Sequence, residues 1–136
     1  ELGRSLGEEL LTPTTIYARD CLALAADCDV HALAHVTGGG LAANLARVIP
    51  PGTGALVDRG TWRPPAVFPF LAGHGGIGQD EMERVFNMGV GMVAVVAADD
   101  ADRAVDLLNA RGARAWCAGE VASGGEGARL VGAYRS

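Results

Sequence analysis

Apolar positions in this chain fall into short blocks whose period changes along the sequence, and those changes predict its elements. Ile16, Tyr17, Cys21, Leu24 and Cys28 recur at helical spacing and predict a helix with one apolar face. Thr12 suits its N-cap and Pro13 its first position, so this helix is expected to start there. The run from Val30 to Val36 reads as a strand. Leu41, Leu45 and Val48 then share one face of a second helix. Pro50-Pro51-Gly52 forces a turn, and Gly54 to Val57 is a short buried strand ending at Asp58-Arg59. A helix is expected from Ala66 to about Leu71, a flexible loop over Gly73 to Gly78, and a short acidic helix from Gln79 to Phe86, with Glu81 and Glu83 on a solvated face. Met92 to Val96 is β-branched and strand-like. Asp99 and Asp100 cap a helix that buries Ala101, Ala104, Val105 and Leu108 and stops at Gly112. Ala113 to Val121 and Arg129 to Tyr134 complete the pattern as strands around a turn at Gly124 to Gly127. The expected fold class is mixed α/β, helices layered on a mixed sheet. The strand-helix-strand unit from Met92 to Val121 lends it partial ferredoxin-like character.

The strand ending at Val36 and the helix opening at Leu41 are joined by Thr37-Gly38-Gly39-Gly40. Consecutive glycines leave backbone N–H groups uncovered and permit positive φ. A helix start directly behind such a loop adds unpaired donors and a positive dipole end. Thr37, Gly38, Gly39 and Gly40 are therefore candidate phosphate ligands, with Asn44 one turn into the helix beside them. A flexible turn capped by Thr37 explains the same letters. Thr12 and Thr14 are a second candidate anion contact, with capping alone as the alternative.

His31 and His35 stand four apart, which in a strand puts them on one face. Either is a candidate general base, since imidazole titrates near neutrality; a hydrogen-bonded structural histidine is the alternative. No third ligand lies near enough in sequence to suggest a metal, and His74 reads as an exposed loop residue. Asn87, Gly89 and Gly91 precede the Met92 strand. With Ala94 they match the letters of a dinucleotide fingerprint, but that motif needs a strand before it and a helix after it. The glycines are better explained by close backbone approach to a ligand or a neighbouring strand; Asn87 is expected at the rim of the same cleft as Gly39.

A chain of 136 residues with 49% apolar content forms one domain with a substantial core. Its net charge of −5 and lack of basic runs make nucleic acid and anionic membranes poor partners. All cationic side chains are arginine, so neither a P-loop lysine nor a Schiff-base lysine exists in this chain. Cys21, Cys28 and Cys117 lack CxxC spacing and read as reduced core thiols of a cytoplasmic protein. No apolar window reaches the length of a membrane span. Residues 1–9 are polar and linker-like, without an initiating Met, which suggests part of a longer protein.

Several stretches together resemble one family. They are LLTPTTIY (Leu10 to Tyr17), DVHALAHVTGGGLAANLARVIPPG (Asp29 to Gly52), DRGTWRPPAVF (Asp58 to Phe68), EMERVFNMGVGMVAVV (Glu81 to Val96) and GEV (Gly119 to Val121). In this order they resemble the C-terminal domain of aminoimidazole ribonucleotide synthetases, also called phosphoribosylformylglycinamidine cyclo-ligases. The glycine stretch alone is shared with a wider superfamily that includes formylglycinamidine ribonucleotide synthetase, selenophosphate synthetase and thiamine monophosphate kinase. One position departs: Thr15 stands where the family usually has arginine after TPT.

The resemblance implies ATP-dependent ring closure of formylglycinamidine ribonucleotide to aminoimidazole ribonucleotide, in purine biosynthesis in the cytoplasm. It implies that residues 10–136 are the C-terminal domain. ATP and Mg²⁺ would be bound mainly by an N-terminal domain not present in this sequence, the nucleotide substrate would lie between the two, and the full-length enzyme would be a homodimer. Another superfamily enzyme, or a non-catalytic regulatory or assembly domain, would share the fold. Alone, the chain is expected to be catalytically silent.

Overall fold

The computed structural model describes residues 2–135. In order, its elements are helix α1 (Leu6–Leu10), helix α2 (Ala18–Asp27), strand β1 (Val30–His35), helix α3 (Gly40–Ala46), strand β2 (Thr53–Asp58), helix α4 (Val67–Gly75), helix α5 (Gln79–Val85), strand β3 (Met92–Val96), helix α6 (Ala101–Ala110), strand β4 (Gly119–Ser123) and strand β5 (Gly127–Val131). The mixed α/β layering holds, but the strands divide into two sheets. β1 pairs antiparallel with β3, and β2 lies between β4 (antiparallel) and β5 (parallel). β3 and β4 thus belong to different sheets, so the strand-helix-strand unit around α6 is not a crossover within one sheet.

β3 is apolar throughout because it packs on both faces, whereas β1 alternates and turns His31, Leu33 and His35 outward. Ala34, Val93 and Val95 face the larger core with Leu41, Leu45 and Val57. Val30, Ala94 and Val96 face the smaller one, built on Leu24, Cys28 and Ala104 from α2 and α6. Arg111 closes that second layer with a hydrogen bond to Asp20 (2.8 Å) across the two helices. Trp62 anchors the larger core. It is 3% exposed, its ring meets Tyr134 edge-on with centroids 5.2 Å apart, and its indole N–H donates to the Met88 carbonyl (3.1 Å). Truncating such a residue to alanine costs about 3–5 kcal/mol.

Several expectations are corrected. The helix expected from Pro13 starts at Ala18, with Tyr17 as N-cap. Thr12 to Ile16 have no helical structure: proline disfavours the helical conformation in the residue before it, and Thr14, Thr15 and Ile16 are β-branched. Thr12 therefore caps nothing; its hydroxyl accepts from Arg4 Nη2 (2.7 Å). The linker-like start contains α1, closed by a reciprocal capping box between Ser5 and Glu8; Glu1 lies outside the described residues. α3 is capped by Gly39 in the left-handed conformation, not by the Thr37 side chain, and it ends at Ala46. The loop expected from Gly73 is still helical to Gly75, and α4 closes at Gly76 with φ +60°. Ala113 to Ala118 carry no strand, so β4 starts only at Gly119; β5 begins at Gly127 and ends at Val131. Of the three thiols only Cys28 is buried; Cys21 is half-buried and Cys117 exposed.

Candidate functional site

The antiparallel register of β1 with β3 sets His35 opposite Met92. The end of β1 and the start of β3 therefore coincide, and so do the loops attached to them. The Val36 N–H donates to the Gly91 carbonyl (2.9 Å), one step beyond the ladder. Thr37 to Gly40 leave from one side of this seam and Asn87 to Gly91 arrive on the other. Tyr17 joins them: its ring lies edge-on to His35 with centroids 5.8 Å apart, and a methyl group on Gly91 would collide with its hydroxyl. Three separate stretches of sequence thus meet at one end of one sheet.

Each glycine of the loop has its own reason. Gly38 and Gly39 are exposed; Gly39 has φ +96°, and a Cβ there would make only ordinary contacts, 3.7 Å from Ala43 Cβ. Gly40 is buried at φ +73°, and a Cβ on it would overlap the Glu83 carbonyl oxygen and come within 3.3 Å of the Phe86 carbonyl oxygen. Gly40 is thus what lets α3 and α5 press backbone to backbone. Asn44 is 6% exposed, and its amide nitrogen donates to Gly40 O (2.7 Å), Thr37 O (3.3 Å) and Gly38 O (3.3 Å). Its side chain engages three of the loop's carbonyls, and the Gly40 N–H donates to Thr37 O (3.2 Å), so the N–H groups of the exposed Gly38 and Gly39 are the donors left for an anion. Asn44, expected beside the loop, braces it.

The opposite loop is as tightly specified. The Asn87 side-chain oxygen accepts from the Gly89 N–H (2.9 Å). Met88 has φ +51°, and among the described residues it is the one non-glycine in that region. Such strain persists where surrounding contacts enforce it; here the Trp62 indole grips the Met88 carbonyl. Gly89 has φ +93°, and a Cβ on it would collide with the Pro65 ring. The half-buried Asn87 follows Phe86, whose carbonyl approaches Gly40, so the Asn87 loop and the glycine loop are neighbours.

His31 and His35 are both exposed, as strand alternation requires. Only His35 stands beside the glycine loop. His31 is at the far end of β1, about 13 Å away along the strand, with its ring 3.5 Å from the Asp29 carboxylate. Thr12 and Thr14 are exposed on the segment leading to Tyr17. Tyr17 was not singled out from the sequence, although its position in the TPTTIY stretch was a signal.

No grouping of three or more His, Cys, Asp or Glu side chains suited to a metal occurs among the described residues. The carboxylates of Glu81 and Glu83 on α5 are engaged in ion pairs, Glu83 with Arg59 and Glu81 with Arg84. These residues do not fit a Mg²⁺ site. No helix among the described residues is long and apolar enough to cross a membrane.

Residues 1–132 match the family model described as AIR synthase related protein, C-terminal domain. A Streptomyces fradiae protein named "Putative phosphoribosylformylglycinamidine cyclo-ligase" is 56% identical over 126 residues, which is 93% of this chain and 69% of that protein. By its sequence and its layered α/β fold, the chain belongs to the AIR synthase related family, as a C-terminal domain of that kind.

Proposed function

We infer that this chain forms one wall of a cyclo-ligase active site, in the reaction that closes formylglycinamidine ribonucleotide to aminoimidazole ribonucleotide at the expense of ATP. The observation that carries the reading is the meeting of Tyr17, the Thr37–Gly40 loop and the Asn87–Gly91 loop at one end of the β1–β3 ribbon. In this reading ATP is a substrate. Its phosphoryl group activates the formyl oxygen, an internal nitrogen attacks that carbon, and phosphate departs. Such chemistry needs positioned anions and one proton acceptor.

The exposed N–H groups of Gly38 and Gly39 suit the substrate's 5′-phosphate or a phosphate of ATP, because backbone donors fixed in place need no reorganisation to meet an anion. Proton transfer falls to His35 rather than His31, because His35 alone borders the loop. The Asn87 amide nitrogen and the Thr12 and Thr14 hydroxyls are assigned to the substrate rim. No step is assigned to Mg²⁺ on this chain; a separate N-terminal domain is proposed to hold metal and nucleotide. The name of the Streptomyces fradiae relative favours this reaction over that of the synthetase acting on a related nucleotide.

The test is reconstitution. The 136-residue chain alone should give no ATP-dependent cyclisation above background, and adding the N-terminal half of a cyclo-ligase, in cis or in trans, should restore it. Turnover by the lone chain would overturn the division of labour. Failure of the reconstituted pair would favour a regulatory or assembly role.

A further inference from the structure

Glu83 was expected on a solvated helix face, and it is not there. Its side chain is 12% exposed and that of Arg59 is 13%. Arg59 binds it with two parallel hydrogen bonds, Nε to Oε1 (2.7 Å) and Nη2 to Oε2 (2.8 Å). The Tyr134 hydroxyl donates to Oε1 (2.9 Å), and so does the Gln79 amide (3.0 Å). The remaining Arg59 nitrogen donates to the Leu130 and Gly132 carbonyls (3.0 and 3.2 Å) at the end of β5. One carboxylate thus ties α5 to the turn after β2 and to the C-terminal segment. Paired forks of this kind fix orientation as well as distance.

The other end of the same residue points at the candidate site. The Glu83 carbonyl oxygen fills the space beside Gly40, and α5 runs on into Phe86 and the Asn87–Gly91 loop. Residue 83 therefore has its side chain in the clamp and its backbone against the glycine loop. A shift of α5 moves both loops at once. Burial works to raise the Glu83 carboxyl, but its hydrogen bonds to Arg59, Tyr134 and Gln79 outweigh it and hold the group below its ordinary value. The clamp is thus built around the charged carboxylate.

We propose that the Arg59–Glu83–Tyr134 clamp is a positioning device that sets the glycine loop from behind, with Glu83 as the positioning residue. Its effect on anion binding rests on the reading of that loop as a phosphate seat. The experiment compares Glu83→Ala, Glu83→Gln and wild type, with Leu24→Ala in the second core as a destabilised control. Amide NMR of Gly38, Gly39 and Gly40 is read first without ligand and then during titration with inorganic phosphate.

Glu83→Ala should shift those three amides and speed their hydrogen exchange, while the β3 amides stay in place. Phosphate affinity should fall about tenfold or more. Glu83→Gln, which keeps the shape and one acceptor oxygen but turns an N–H₂ donor toward the donors of the clamp, should restore only part of both. Leu24→Ala should leave the glycine amides unmoved. If Glu83→Ala does not fold, Tyr134→Phe removes one hydrogen bond and is read in the same way. Unmoved glycine amides in a folded clamp variant would overturn the proposal. If wild type binds no phosphate, the phosphate reading fails, and the ligand-free amide shifts still decide whether the clamp sets the loop.

Discussion

The carbonyl oxygen of Glu83 stands where a side chain on Gly40 would have to go. Neither partner can yield by rotating a side chain, because one is backbone and the other has φ +73°. Gly40→Ala should therefore cost more than about 3 kcal/mol, from overlap and backbone strain together. Gly38→Ala, with open space around it and no left-handed backbone, should stay within about 1 kcal/mol of wild type. Thermal or urea unfolding of the two variants checks the contrast, and equal stability would contradict the close approach of α3 and α5.

Gly39 separates binding from folding. A Cβ there meets nothing closer than 3.7 Å, so the cost of Gly39→Val is conformational, about 1–3 kcal/mol. Its bulk would project beside the exposed N–H groups of the loop. Calorimetric titration with phosphate should show binding lost in a protein that still folds. Unchanged affinity would count against the loop as an anion seat.

Asn44 should prove more sensitive to charge than to size. Its amide nitrogen faces three carbonyl oxygens, which fixes the orientation of the group. Asn44→Ala removes the side-chain donor from those carbonyls, of which Thr37 O keeps the Gly40 N–H (3.2 Å), and should cost about 1–3 kcal/mol. Asn44→Asp turns an acceptor-only anion toward them and should destabilise further. It should also weaken phosphate binding, since it adds negative charge under the loop. Comparing the unfolding midpoints of the two variants gives the test; an Asp variant more stable than Ala would reverse the assignment.

The clamp gives stability a pH signature at both ends. Glu83 is held below its ordinary value of 4.5, so its contribution is present above that pH and is lost as pH falls through the lower folded value. Burial foremost, and then the bond to Glu83, push the Tyr134 hydroxyl above its ordinary value of 10.0. Its contribution is complete below pH 10.0 and declines as pH rises beyond it. Urea titrations across both ranges should show Glu83→Gln flattening the acid limb and Tyr134→Phe flattening the alkaline one. Profiles parallel to wild type would show that the clamp does not hold these groups.

Local pattern carried much of this architecture and little of its assembly. The spacing of Leu41 and Leu45 and the β-branched run at Met92–Val96 announced their elements, because a buried face imposes its period on the sequence. The start of α2 was misplaced: Thr12-Pro13 carries the letters of a helix start, and the β-branched run Thr14-Thr15-Ile16 that works against it was outweighed by them. Glu83 looked like one more charge on an acidic helix, since its partners Arg59 and Tyr134 are remote in sequence. The glycine loop was legible as a candidate seat. That Gly40 serves α5 while Gly38 and Gly39 face outward depends on a neighbour that no local window contains.

The pairing of β2 bears on how the chain reaches this state. Ala55 pairs with Val121 on one side and Ala128 on the other, and β1 must wait for β3. Consecutive strands β4 and β5 flank β2 and do not bond each other, so no strand pair in the described residues is a local hairpin. Closing distant loops before any ladder forms slows folding. Emerging from a ribosome, the chain would hold β2 unpaired until β4 and β5 had been made. The centre of the second sheet would then set later than its own position in the sequence suggests, with exposed edges in the meantime.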